Sequence, residues 1–151
     1  MRPSEVRTRV LADHERLRRD LERLEALSNG VSERRGDARV AALREEAQSF
    51  LVRLREHMRW EEAHLLPALR DADAWGRERA ERLQGDHREQ RELLDFIVAR
   101  LRDRERPGPV VARDVAGLID LLREDMREEE EALLDERVLR DDVVAIAMET
   151  G

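Results

Sequence analysis

The chain has 151 residues, of which 43% are charged and only 3% are aromatic. This length predicts a single domain over residues 1–151, long enough to bury one core. The formal net charge of −7 arises from 36 acidic residues against 29 basic ones, all of them arginine, whereas a nucleic-acid-binding protein would present a basic face. The absence of cysteine excludes disulfides and thiolate metal sites. Histidine, aspartate and glutamate are then the remaining ligands for a transition metal.

Nothing in the sequence predicts contact with a membrane. No apolar run approaches the roughly 20 residues that a membrane-spanning helix needs, and residues 1–20 are charged throughout, unlike a signal peptide. We therefore expect a cytoplasmic protein that binds neither membrane nor nucleic acid. The sequence leaves the oligomeric state open.

Turn signals divide the chain into four long segments, because proline fixes φ and glycine permits turns. The signals are Ser28-Asn29-Gly30 with Gly36-Asp37, then Pro67 with residues 71–76, then residues 106–109. They leave predicted helices at about residues 4–28, 37–70, 74–104 and 110–135. Pro67 could instead bend a helix that continues to about Arg70. The apolar tail from Val138 to Met148 predicts a short C-terminal fifth helix that caps the bundle.

Each long segment carries apolar residues three and four positions apart, which places them along one face of a helix. These residues are Val10, Leu17, Leu21 and Leu24, then Leu43, Ala47, Phe50 and Leu54, then Ala80, Leu83, Leu94, Ile97 and Leu101, and finally Val111, Val115, Leu118 and Leu122. Four amphipathic helices of similar length with short connections predict an all-α fold, an antiparallel up-down four-helix bundle.

Ionisable residues interrupt each apolar stripe at positions where an ordinary bundle would have leucine. Burying several unpaired ionisable groups in one core is costly, and a metal cation would offset the carboxylate charges while using the imidazole lone pairs. The i,i+4 spacing of two pairs also projects both members from one helix face. The interrupting residues are His14 in the first segment, His57 and Glu61 in the second, His87 in the third, and Asp125 and Glu129 in the fourth.

The sequence repeats itself around these residues. His57-Met-Arg-Trp-Glu-Glu matches Asp125-Met-Arg-Glu-Glu-Glu, and Asp13-His14 matches Asp86-His87. Two similar helix pairs would face each other about a pseudo-two-fold axis. That arrangement would place two metal ions side by side.

In this order and on four helices, the residues resemble the hemerythrin-like (HHE cation-binding) family. The family pattern is a His on the first helix, His-x-x-x-Glu on the second, a His on the third and His-x-x-x-Glu on the fourth. The likeness covers about residues 8–135 and is most specific from His57 to Pro67. It implies two iron ions joined by an oxo or hydroxo bridge, and a protein that binds, senses or reacts with dioxygen, peroxide or nitric oxide. It also implies terminal ligands at His14, His57 and His87 and bridging carboxylates at Glu61 and Glu129.

Asp125 departs from the family pattern, because the fourth helix usually has a histidine there. If Asp125 binds, a third carboxylate favours ferric over ferrous iron, and with it oxidation or peroxide chemistry over reversible dioxygen carriage. If its shorter side chain does not reach, one iron is weakly held or absent.

Three other functions remain open from the sequence. They are catalase- or peroxidase-like decomposition of peroxide at the same centre, a metal-free helical adaptor, and a store of iron or zinc. Among the charged neighbours, Glu62 is a candidate to hydrogen-bond a ligand histidine. We expect His64 and Glu130 to lie outside the ligand set, near the site or in solvent. We expect Asp13 and Asp86 to point away from the site, because each precedes a histidine by one residue.

Overall fold

The computed structural model describes residues 1–33 and 36–142, without the side chains of Glu33 and Asp37. Its four α-helices are α1 (Pro3–Glu33), α2 (Asp37–Ala72), α3 (Gly76–Arg102) and α4 (Gly108–Ala132). The described residues contain no β-strand, so the predicted all-α class is confirmed.

One predicted helix end was wrong, and tertiary packing explains it. Helix α1 continues through the expected break at residues 28–30, because Ser28 Oγ donates a 2.9 Å hydrogen bond to the carbonyl oxygen of Ala112 and Val31 is buried. Helix α2 continues past Pro67 to Ala72. This agrees with the alternative in which Pro67 lies within the helix and does not end it.

The start of α3 requires a glycine. A Cβ atom at Gly76 would overlap the carbonyl oxygens of Leu69 and Arg70 in the last turns of α2. The short connection of residues 73–75 therefore brings α3 back along α2 at close range. Helix α4 begins with a proline in its first turn, where the missing N–H has no helical partner to lose.

The helices run antiparallel to their neighbours. Near one end of the bundle, Ser28 of α1 contacts Ala112 at the start of α4. Further along, Arg18 of α1 contacts Glu130 at the end of α4. The same reversed order of contacts links α1 to α2 and α2 to α3, as expected for an up-down bundle.

A polar layer divides the hydrophobic core into two clusters. In each helix the stripe passes from one cluster to the other at one of the ionisable positions predicted from the sequence. The larger cluster lies toward the α1–α2 and α3–α4 connections, and the smaller lies toward the chain ends. Four of the residues predicted as ligands are buried between them: His14, His57, Glu61 and His87. The fold thus places four chemically active residues at one level of the bundle.

The segment after α4 folds back against the start of α1. Val138 and Leu139 are buried in the smaller cluster, and Asp141 accepts hydrogen bonds from the backbone N–H and the hydroxyl of Ser4. Residues 138–141 form turns and no helix. The rest of the predicted fifth helix, residues 143–148, lies outside the described residues. In the part of the chain that is described, no helix is both long and apolar enough to cross a membrane.

Candidate metal centre

Three helices bring four potential ligand residues together in the polar layer. His14 comes from α1, His57 and Glu61 from adjacent turns of α2, and Glu129 from α4. One donor atom from each of the four lies within 4.8 Å of all the others. All four were predicted as ligands from the sequence. This spacing suits side chains that surround a single cation.

The Nε2 atoms of the three histidines point toward Glu61 and Glu129. His57 Nε2 lies 2.7 Å from Glu61 Oε1, and His14 Nε2 lies 3.3 Å from Glu129 Oε1. On the α3 side, His87 Nε2 lies 3.7 Å from the same Glu61 oxygen. The Glu61 carboxylate therefore stands between two histidines of different helices, in the position that a shared ligand would need.

Unsatisfied polar atoms concentrate at this point. Buried polar atoms normally have hydrogen-bond partners, yet five buried side-chain atoms in the described residues have none, and four of them belong to this layer. The short approach of His57 to Glu61 is not aligned as a hydrogen bond. A metal ion would bond to such atoms directly. The four are His57 Nε2, Glu61 Oε2, His87 Nε2 and Glu129 Oε1.

The two glutamates have opposite pKa shifts. Burial alone would raise the pKa of Glu61, but contacts with Glu129 and with two histidines outweigh burial and bring it well below the usual range. Burial and the negative charge of Glu61 raise the pKa of Glu129 well above its usual value. Burial and mutual repulsion therefore drive the pKa values of the two carboxylates apart.

The pKa values of the histidines also shift in different directions. Burial lowers the pKa of His14, more than the nearby carboxylates raise it. For His57 and His87, burial likewise lowers the pKa, but their contacts with Glu61 and with an outer carboxylate outweigh it and the pKa is raised.

The outer nitrogen of each histidine ring contacts a carboxylate. Partners of this kind fix the orientation of a ligand histidine and make it more basic. Arginines hold all three of these carboxylates in turn: Arg18 donates to Glu130 at 2.6 Å, Arg91 donates to Glu62, and Arg9 donates to Asp13 at 3.1 Å. The ring contacts are His14 Nδ1 to Glu130 at 3.1 Å, His87 Nδ1 to Glu62 at 2.9 Å, and His57 Nδ1 to Asp13 at 3.4 Å.

The role of Asp13 was not predicted. We expected it to point away from the site because it precedes His14 by one residue, a turn of about 100°. Helix α1 packs between α2 and α4, so this turn directs Asp13 to His57 of α2 while His14 faces α4. A helix with neighbours on two sides can contribute adjacent residues to one site. The sequence alone does not show which helices are neighbours.

The chain matches one known protein family. The model for the hemerythrin HHE cation binding domain covers residues 6–136. The chain belongs to this family. No curated protein and no solved structure matches it.

Asp125, which replaces the usual histidine of the hemerythrin family, lies at the edge of the site. It is half-buried, accepts a 3.0 Å hydrogen bond from Gln90 Nε2, and is absent from the group of four close donors. Burial raises the pKa of Asp125, the hydrogen bond from Gln90 lowers it, and the negative charges of Asp86 and Glu124 raise it again. Gln90 is a further residue of the site that the sequence analysis did not include.

A small cavity lies inside the hemerythrin centre. It measures about 20 Å³ and is lined by both glutamates, Asp125 and Gln90, together with His14, His57 and apolar side chains. That volume accommodates about one water-sized molecule. His64, in contrast, is exposed and stacks on Trp60 with the ring centres 4.5 Å apart, so it lies outside the centre as expected.

Proposed function

We propose that the chain binds iron in the polar layer and uses it to bind or react with a small ligand such as dioxygen, peroxide or nitric oxide. The observation that carries this proposal is the convergence of unsatisfied histidine and glutamate atoms in a buried layer of a domain whose family binds cations. Imidazole and carboxylate donors without thiolate suit non-haem iron.

The donors support one well-held ion and a second, weaker one. His14, His57, Glu61 and Glu129 would hold the first, since their donor atoms already lie together. His87 and Asp125 would hold the second and share the two glutamates with the first. The second set is the poorer one, because Asp125 is engaged by Gln90 and its charge is repelled by neighbouring acids.

The size of the cavity limits the ligand to a very small molecule. Bound iron would supply a redox-active centre with a position open to that ligand. The protein around it does the rest: apolar side chains exclude bulk water, and the outer carboxylates orient the histidine rings. The apolar lining residues are Leu17, Phe50, Leu54, Met58, Leu122 and Met126.

Reconstitution with ferrous iron tests the proposal. We expect up to two irons per chain by elemental analysis, near-ultraviolet absorption after exposure to air, and a melting temperature that falls when the iron is chelated, because a ligand that binds only the folded state stabilises it. Oxygen evolution from added peroxide would identify peroxide decomposition as the reaction. Zinc uptake without iron uptake would indicate a metal store.

Substitution at Glu61 provides the decisive variant. Glu61→Ala removes the carboxylate between His57 and His87, so it should abolish both iron uptake and the absorption. Glu56→Ala changes an exposed glutamate of the same helix and should leave both unchanged. A wild-type chain that takes up no metal and keeps its melting temperature after chelation would instead be a metal-free helical adaptor.

A further inference from the structure

Two surface grooves flank the polar layer, one on each side. The arginine groove, of about 530 Å³, lies between α1 and α2 and is lined by His57 and Asp13 together with Arg9, Arg16, Arg19, Arg53 and Trp60. The acidic groove, of about 380 Å³, lies between α3 and α4 and is lined by Gln90 and by Asp86, Glu89, Asp125, Glu128 and Glu129.

The internal repeat relates these two grooves. The alignment that matches His14 with His87 also matches Arg16 with Glu89, and the alignment that matches His57 with Asp125 also matches Trp60 with Glu128. At these two positions, a cationic and an aromatic residue beside the first helix pair correspond to anionic residues beside the second. Two equivalent routes toward one buried layer carry opposite charge.

The carboxylates of the acidic groove have no arginine partners. In the part of the chain that is described, none of the five forms an ion pair with an arginine, although the chain has 29 of them. In the arginine groove, by contrast, Asp13 pairs with Arg9 and Asp20 pairs with Arg53. A groove lined by unneutralised charge of one sign raises the local concentration of the opposite ion.

The acidic groove also adjoins the inner cavity. Gln90, Asp125 and Glu129 line both, and Gln90 and Asp125 are joined there by a hydrogen bond. Glu61 and His57 also line the cavity, and their side chains are only 2% and 7% exposed. Glu61 Oε2 and His57 Nε2 have no hydrogen-bond partner. These unpartnered atoms require a cation, independently of the acidic residues outside.

We propose that the acidic groove is the entrance through which a divalent metal cation reaches the buried centre, with the Gln90–Asp125 hydrogen bond at its inner end. The proposal rests on the function proposed above. The arginine groove would repel a cation, and the residues that it shares with the cavity are apolar Leu17 and His57, whose ring contacts Asp13.

Loading kinetics test the entrance with a matched pair of triple variants. The first, Asp86→Asn with Glu89→Gln and Glu128→Gln, neutralises the outer carboxylates of the groove. The second, Glu22→Gln with Glu78→Gln and Glu92→Gln, neutralises three other exposed carboxylates. Both change the formal net charge from −7 to −4. Ferrous iron would be mixed with each chain anaerobically, and uptake followed by quenching of tryptophan fluorescence.

We expect the groove variant to load about tenfold more slowly than wild type at low ionic strength, within the range known for electrostatic steering. The control variant should stay within about twofold, and added salt should slow the wild type but hardly affect the groove variant. Equal loading rates in the two variants would overturn the entrance while leaving the iron function intact. If the wild type takes up no ferrous iron, both proposals are wrong.

Discussion

The two halves of the candidate metal centre occupy equivalent places in the repeat but have different electrostatics. On one side, Asp13 faces the ring of His57, a carboxylate beside a hydrogen-bond donor. On the other, the equivalent Asp86 faces Asp125, a carboxylate beside another carboxylate, and its charge contributes to the raised pKa of Asp125. One substitution, His to Asp, thus turns an attraction into a repulsion.

This difference has a consequence for metal binding. The half around His57 is organised before any metal arrives, since both of its histidines already have an outer partner that fixes their orientation. In the half around Asp125, only His87 has such an outer partner, which is Glu62. We therefore expect the two sites to bind metal with different affinities. Substitutions in each half test that difference.

We expect the largest effect on metal binding when substitution of His57 is compared with substitution of Asp125. His57→Ala removes a ligand of the organised half and should weaken binding of the first ion by more than the roughly 100-fold that the loss of an outer partner can cost. Asp125→Ala should leave the first ion bound and remove only the second. Titration with ferrous iron and elemental analysis would measure both. Equal losses in the two variants would mean that the halves act as one site.

A smaller effect is expected at the outer carboxylates. Glu130→Gln removes the charge beside His14 and should weaken the first ion about tenfold, whereas Glu62→Gln should act in the same way on the second ion only. The dissociation constant of each ion would be read from anaerobic titrations. Glu131→Gln is the control, because Glu131 is an exposed glutamate of the same helix as Glu130 and pairs with Arg127 at the surface. If Glu130→Gln matched this control, Glu130 would have no positioning role.

Much of this comparison could be predicted from the sequence. Apolar spacing placed every stripe residue in the core, because a helix buries one face whatever its neighbours are. The same register brought His14, His57, Glu61 and Glu129 together. The match of Asp13-His14 with Asp86-His87 also predicted the repeat on which the comparison of the two halves depends.

Other features depended on how the helices pack against one another. The hydrogen bond of Ser28 to α4 and the contact of Asp13 with α2 join residues far apart in sequence, and no local spacing reports them. Gln90 is a similar case, since an isolated glutamine on a charged helix has no distinctive pattern. Its position between cavity and groove follows only from the packing of α3 beside α4.

The last effect we expect is a gain in the affinity of the second ion. Asp125→His would restore the pattern of the other half, with Asp86 now beside an imidazole that can donate a hydrogen bond to it. The second ion should bind about tenfold more tightly, equivalent to about 1.4 kcal/mol, with little change in the first. Anaerobic titration would measure this gain, and Asp125→Asn serves as the control that removes the repulsion without adding an imidazole donor. A gain in both variants would assign the weakness of this half to charge repulsion, and a gain in Asp125→His alone would assign it to the missing ligand.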